Sequence, residues 1–70
     1  MALTRAAIPQ AFQRALAMQR GGRAEEALAL YTQILMVRPE TAEARFQIGR
    51  IHAAANRGDK AAEAFRAALR

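Results

Sequence analysis

The stretch RAEEALALYTQILMVRP, residues 23–39, decides the fold of this 70-residue chain. Its apolar side chains recur at steps of three and four residues, the spacing of one face of an α-helix; they are Ala24, Ala27, Leu28, Tyr31, Ile34 and Leu35. Glu25 and Glu26 stand in the first turn, where negative charge stabilises the positive end of the helix dipole. Pro39 ends the pattern, because a proline disfavours helical geometry in the residue before it. The stretch therefore predicts an amphipathic helix over about residues 23–37.

Turn signals on either side of this stretch predict three more helices. Pro9 suits the first turn of a helix, and Gly21 and Gly22 suit its end. Thr41 can cap the start of a third helix, and the sequence NRGD at residues 56–59 breaks the chain before a fourth. Because the connections are short, neighbouring helices must pack antiparallel. We therefore predict an all-α fold of two antiparallel helix-turn-helix hairpins, with helices at about 9–20, 23–37, 41–55 and 59–70.

The composition favours the same fold class. Alanine, leucine, arginine, glutamine and glutamate dominate, and these are strong helix formers. The chain contains no cysteine, so disulfides and thiolate metal sites are excluded. A chain of this length forms one small domain and buries only about 60% of the surface that its unfolded form exposes. Its core is therefore expected to be marginal.

The second half of the chain repeats the first after a shift of 34 residues. The matched positions are small, aromatic and turn residues, which a richness in alanine alone would not place. They are Phe12 and Phe46, Gln13 and Gln47, Ala15 and Gly49, Gly22 and Asn56, Arg23 and Arg57, Ala27 and Ala61, Tyr31 and Phe65, and Leu35 and Leu69. Gly22 and Asn56 can both adopt a positive φ, as a turn between two helices requires.

A helix-turn-helix period of 34 residues is typical of tetratricopeptide repeats, and the chain resembles that family from about Ile8 to Arg70. The resemblance divides the single domain 1–70 into a first repeat at about 8–41 and a second at about 42–70, truncated before its terminal proline. It also implies that the matched small residues let the two helices of a hairpin approach, while the matched aromatic fills the adjacent gap. The first helix matches weakly, as terminal repeats do.

The resemblance also implies a binding surface, because in this family the first helix of each pair lines a concave face. Carried over, the candidate peptide-binding groove consists of Phe12, Gln13, Leu16, Gln19, Arg20, Glu43, Phe46, Gln47 and Arg50. Phe12 and Phe46 either face this groove or pack between neighbouring helices, and the sequence leaves both alternatives open. The clamp that grips chaperone C-termini needs lysine and asparagine where this chain has Phe12 and Leu16, so that ligand is not expected.

Catalysis and metal binding find no support in the residue types. His52 is the single histidine, there is no serine or cysteine, and no nucleophile–base set can be assembled. One histidine and scattered glutamates do not make a three-ligand site. Gly21 and Gly22 lack the lysine and hydroxyl residue of a phosphate-binding loop. We expect this segment alone to be no enzyme, with no catalytic residue, no cofactor and no metal.

The net charge of +5 favours an acidic partner, or it reflects a solvated, arginine-rich surface. The basic residues are spread along the chain without a run, which argues against a nucleic-acid partner. No window approaches the roughly 18 apolar residues that cross a bilayer, and Met1–Pro9 lacks the apolar run of a signal peptide. We expect no membrane partner and a cytoplasmic location.

Three functions remain open. The first is a protein-interaction module that binds a partner peptide or a neighbouring domain on its concave face. The second is the N-terminal arm of a larger bacterial enzyme, such as a sulfotransferase or glycosyltransferase, and the third and weakest is a basic nucleic-acid binder. About three repeats are usually needed for stability, so we also expect a homo-oligomer, a dimer, with Phe65, Ala68 and Leu69 as candidate self-association residues.

Overall fold

The computed structural model describes residues 3–69 and contains four α-helices. They are α1 (Ile8–Arg20), α2 (Ala24–Val37), α3 (Ala42–Ala54) and α4 (Gly58–Ala68). Residues 3–69 contain no β-strand, which confirms the predicted all-α class. Helix boundaries match the predicted ones closely, because glycine, proline and asparagine mark every connection. Arg70, the last residue of the predicted fourth helix, lies outside the described residues.

One element was not predicted. A 3-10 turn at Arg5–Ala7 precedes α1 and is closed by a hydrogen bond of 3.0 Å from the Ala7 N–H to the Thr4 carbonyl. The turn brings Leu3 against the core, where it is half-buried. Such a turn is too short to show any hydrophobic period, so the sequence carried no signal for it.

The four helices form two hairpins that pack on each other in chain order. Helix α1 packs against α2, α3 packs against α4, and contacts between α2 and α3 join the two hairpins. The resulting body measures 32 × 29 × 15 Å. Because each helix packs on its neighbours in sequence, the arrangement is a stack of helical hairpins rather than a closed bundle.

The core is small and centres on α2. Tyr31 and Ile34 of that helix are its largest fully buried side chains, and Ala27 is fully buried beside them. The other apolar residues of the predicted stripe, Ala24, Leu28 and Leu35, are half-buried against this cluster. The predicted amphipathic face is therefore confirmed. Only Ala61 is fully buried in α4 among the described residues, so the second hairpin is less tightly enclosed.

The turns inside the two hairpins have the same geometry. Gly22 has φ 80° and Asn56 has φ 61°, which confirms that both adopt positive φ. The N–H of the next residue, Arg23 or Arg57, donates a 2.8 Å hydrogen bond back into the preceding helix, to the Met18 carbonyl in one hairpin and the His52 carbonyl in the other. Asparagine tolerates this left-handed conformation better than most residues, so it can replace glycine in the second turn.

The connection between the hairpins corrects one detail of the prediction. Arg38 leaves helical geometry at φ −140°, as Pro39 requires. Thr41 occupies the N-cap position of α3, but its side chain makes no capping hydrogen bond. Its hydroxyl instead donates to the Arg38 carbonyl at 2.9 Å. The Thr41 side chain therefore closes the loop rather than capping the helix.

Candidate functional site

Two aromatic pairs lie at equivalent places in the two hairpins. Phe12 of α1 packs edge-on against Tyr31 of α2, with ring centroids 5.5 Å apart and planes at 64°. Phe46 of α3 packs against Phe65 of α4 at the same centroid distance, with planes at 51°. Such offset pairs contribute about 0.5–1.5 kcal/mol beyond their buried area. Each hairpin therefore joins its two helices by one aromatic contact, repeated after 34 residues.

The phenylalanine from the first helix of each hairpin keeps part of its surface exposed after this contact is made. Phe46 remains 48% exposed, and Phe12 is half-buried. The two alternatives for these residues are therefore not exclusive, because each ring packs against the second helix of its hairpin and also presents surface outward. Phe46 is the more open of the two.

A groove runs along this outward surface. One pocket of about 380 Å³ lies between the hairpins and is lined by Phe12, Ala42, Glu43, Phe46, Gln47, Ala68 and Leu69. A second pocket, of about 410 Å³, shares Phe12 and Glu43 with the first and therefore adjoins it. Gln13 lines this second pocket together with residues of the Pro39 loop. The walls combine apolar rings with amide and carboxylate groups, a mixture found in sites that bind peptides.

The nine candidate groove residues divide into two groups. Five of them line the adjoining pockets: Phe12, Gln13, Glu43, Phe46 and Gln47. The other four, Leu16, Gln19, Arg20 and Arg50, line neither pocket. Leu16 and Gln19 are half-buried, whereas the side chains of Arg20 and Arg50 are exposed. A binding role for any of the nine stays a prediction.

A hydrogen-bonded chain behind the groove ties three helices together. The Tyr31 hydroxyl of α2 donates to Gln19 Oε1 of α1 at 2.9 Å, and Gln19 Nε2 donates to Gln47 Oε1 of α3 at 3.3 Å. Burial raises the pKa of Tyr31, and the nearby charges of Arg20 and Arg50 oppose that effect. The sequence pattern did not predict these two hydrogen bonds. The available signal was Tyr31 itself, since a buried tyrosine hydroxyl needs a partner.

Charged side chains border the groove or lie near it. Arg20 and Arg50 both act on the Tyr31 hydroxyl, so they lie around the same end of the hydrogen-bonded chain. Glu43 lies two helical turns before Arg50 on α3 and borders both pockets. Beside the second pocket, the exposed Glu40 accepts hydrogen bonds from Arg38 at 3.2 Å and from Arg5 at 3.4 Å. Arg20 and Arg50 lie behind the groove, near Tyr31, and line neither pocket, whereas paired charges of both signs lie beside the second pocket.

His52 lies away from this groove, on α3 near its C-terminal end. It is 9% exposed, and its Nδ1 finds no hydrogen-bond partner within residues 3–69. Burial lowers the pKa of His52, and the positive charges of Arg57 and Lys60 lower it further. Within the described residues no three metal-ligating side chains come together. His52 is one of the buried residues of α3.

The three candidate self-association residues have different environments. Phe65 is half-buried between Phe46 and the backbone of Gly49. Ala68 is half-buried, and Leu69 is 86% exposed just beyond the end of α4. Ala68 and Leu69 also border the first groove pocket. Of the three, Leu69 offers by far the most uncovered apolar surface.

Among the described residues, no helix has the length and apolarity to cross a bilayer.

Comparison with protein families gives one match. A family model described as tetratricopeptide repeat matches residues 19–70, which include all of α2, α3 and α4. Most of α1 lies outside the match, in agreement with its weak resemblance to a repeat first helix. No curated protein and no solved structure matched the chain significantly. Since the matched residues make up well over half of its length, the chain belongs to the tetratricopeptide repeat family.

Proposed function

We propose that this protein–protein interaction module binds a partner peptide, or a segment of a neighbouring domain, in the groove between its two hairpins. The observation that carries the proposal is the 48% exposure of Phe46 over the first groove pocket. A large aromatic side chain that stays exposed in a concave, mostly apolar surface with a few polar groups is a usual anchor of a binding site. The module acts by binding, with no chemistry of its own.

The surroundings of Phe46 support an extended partner that offers an apolar side chain. Phe12 and Phe46 contribute rings to the same pocket, and Gln47 and Glu43 beside them can hydrogen-bond to a peptide backbone. The Gln19–Gln47 hydrogen bond holds one of these amides in place before a ligand arrives. Groups fixed in advance lose less conformational freedom on binding.

The test is selection of peptides from a random displayed library on the immobilised chain, followed by measurement of their affinity for variants. Phe46→Ala should weaken the selected peptides at least tenfold, which corresponds to about 1.4 kcal/mol. Met36→Ala is the matched control, because Met36 is a large apolar side chain on α2, 80% exposed and outside both groove pockets. Its affinity should equal that of the unmodified chain.

The thermal stability of each variant is measured beside its affinity. If Phe46→Ala lost as much stability as a buried phenylalanine, about 3–5 kcal/mol, its main role would be in the core and the groove assignment would fail. Equal weakening by Phe46→Ala and Met36→Ala would also contradict the proposal. The triple variant of Phe12, Phe46 and Arg50 extends the comparison to capture of natural partners.

We also propose that the chain forms a homodimer, because its last helix leaves apolar surface open. The support is Leu69, 86% exposed, just beyond the end of α4, a helix that packs mainly against α3. An exposed apolar surface at the end of a repeat stack is usually covered. Sedimentation across a concentration series tests this, and a monomer at high micromolar concentration would contradict it.

The same open helix favours the second candidate function, an N-terminal arm of a larger enzyme such as a sulfotransferase or glycosyltransferase. In that case a following domain would cover α4 in place of a second copy. A reading frame that continues past Arg70 into a catalytic domain would support the arm. A cytoplasmic location, the absence of a membrane partner and the low expectation of nucleic-acid binding stay predictions.

A further inference from the structure

The outer face of α4 lacks the cover that the corresponding face of α2 receives. Helix α3 packs against α2, and Leu28 and Leu35 of α2 are half-buried. The residues 34 positions later, Ala62 and Leu69, are both exposed. No helix follows α4 within the described residues. The face around Ala62 is therefore the one that a further helix would occupy if the stack continued.

This face carries charges of opposite sign at its two ends. Asp59, Ala62, Glu63, Arg66 and Ala67 line one shallow depression of about 610 Å³ formed by α4 alone. Asp59 and Arg66 are two helical turns apart, so their side chains lie on the same side of the helix. If two copies of α4 lie antiparallel, Asp59 of each copy falls opposite Arg66 of the other. The face is thus complementary to itself, as a two-fold interface requires.

Net charge distinguishes this face from the opposite end of the stack. Two copies of a chain with net charge +5 repel each other, and like charges facing across the contact would add to that repulsion. The charged residues of α4 balance, with Asp59 and Glu63 against Lys60 and Arg66. Helix α1 carries Arg14 and Arg20 and no acidic residue. A pair formed through α1 would therefore place like charges together, whereas a pair formed through α4 would not.

We propose that two copies of the chain pair antiparallel through α4, around a two-fold axis beside Ala62, with Asp59 of each copy opposite Arg66 of the second copy. The inference rests on the homodimer proposed above and is independent of the groove. Exposed ion pairs contribute little to the stability of a dimer, but like charges that face each other across an interface destabilise it by more. Charge reversal is therefore the sensitive probe of this arrangement.

The experiment is sedimentation equilibrium of the 70-residue chain and of two charge-reversal variants, Asp59→Lys and Arg66→Glu. In a dimer of either variant alone, both facing pairs at positions 59 and 66 consist of like charges. The dimer dissociation constant should therefore rise at least tenfold. An equimolar mixture of the two should dimerise as well as the unmodified chain, since every facing pair is then of opposite sign. The double variant, with both substitutions in one chain, should also recover the dimer.

A second readout uses the absence of cysteine from the chain. A single Ala62→Cys substitution lies beside the proposed axis and should form an intermolecular disulfide readily on mild oxidation. Ala29→Cys, at an exposed position of α2, is the matched control and should not. This readout does not depend on whether the charge-reversal variants fold well, and circular dichroism checks their helicity.

The outcomes separate the two proposals. A monomeric unmodified chain would overturn both the homodimer and this arrangement. A dimer that ignores charge reversal, or that cross-links equally through position 29, would overturn only the antiparallel α4 pair. Growth into species larger than dimers with rising concentration would also overturn it, because head-to-tail stacking does not close. None of these results bears on binding in the groove.

Discussion

The ring of Phe65 lies directly on the backbone of Gly49, and a Cβ atom at Gly49 would stand 2.6 Å from Phe65 Cε1 and 2.7 Å from Cδ1. Real Cβ atoms essentially never approach another atom so closely. Helices α3 and α4 therefore approach closely at the single glycine of α3, and the ring of Phe65 fills the space. The same ring also packs against Phe46, which lines the groove. Phe65 therefore connects the packing of α3 and α4 to the groove.

Gly49→Ala should destabilise the protein despite the better helix propensity of alanine. Alanine gains about 0.8–1 kcal/mol over glycine inside a helix. Displacing a packed ring typically costs about 1–3 kcal/mol, so we expect a net loss of stability of up to about 2 kcal/mol. Chemical unfolding measures the change.

The same substitution in a Phe65→Ala background provides the control. With every ring atom removed, the added methyl group no longer meets the Phe65 side chain, and the helix propensity of alanine should then make Gly49→Ala stabilising. The sign of the effect should therefore reverse between the two backgrounds. If Gly49→Ala shifted stability in the same direction in both, the contact with Phe65 would not be the reason for the glycine.

Ala27→Leu tests the packing of α2 in the core of the first hairpin. Ala27 is fully buried, with 0% of its surface exposed, in the core cluster that contains Tyr31 and Ile34. A larger side chain there should cost about 1–3 kcal/mol through overpacking. Ala29→Leu in the same helix adds the same atoms at an exposed position and should change stability by less than about 0.5 kcal/mol. Two variants with equal melting temperatures would show that the first hairpin does not close at Ala27.

Acid should weaken the fold through His52. Its pKa is lowered in the folded protein, so the unfolded chain holds the proton more tightly. The stability contributed by neutral His52 is complete above the unfolded pKa of about 6.5 and is lost as the pH falls through the lower folded value. Unfolding free energies measured between about pH 7.5 and pH 5 follow this loss.

The matched variant for this measurement is His52→Met, because methionine stands at the equivalent position of the first hairpin, residue 18. The variant retains every carboxylate, including Glu40, whose pKa is lowered first by a backbone hydrogen bond and then by Arg38 and Arg5. The difference between the two chains therefore isolates the histidine. Parallel pH profiles would mean that His52 titrates in the folded protein as it does in the unfolded chain.

The helices could be predicted from the sequence because each boundary carries its own local signal. The turns inside the hairpins require a positive φ at Gly22 and Asn56, and Pro39 ends α2. The stripe on α2 has a clear helical period, so the buried role of Tyr31 and Ile34 followed as well. The division into repeats at 8–41 and 42–70 depends on the resemblance and stays a prediction.

The site was harder to predict, because its geometry depends on contacts between helices. A pattern places Gln19 and Gln47 on one face, but it cannot show that their amides bond to each other and to Tyr31. Likewise, the sequence could not decide between core and groove for Phe46, because the ring packs against Phe65 and still remains 48% exposed. Thr41 has the side chain of an N-cap, yet the nearby Arg38 carbonyl competes successfully for its hydroxyl.

The central claim is that the groove between the hairpins binds peptides, and chemical-shift mapping tests it most directly. A library-selected peptide is titrated into the isotopically labelled chain while amide resonances are recorded. If the groove binds the peptide, we expect the largest chemical-shift changes at Phe12, Glu43, Phe46 and Gln47, with little change around Met36 on α2. Shifts concentrated on the outer face of α4, or around Met36, with the groove unchanged would contradict it.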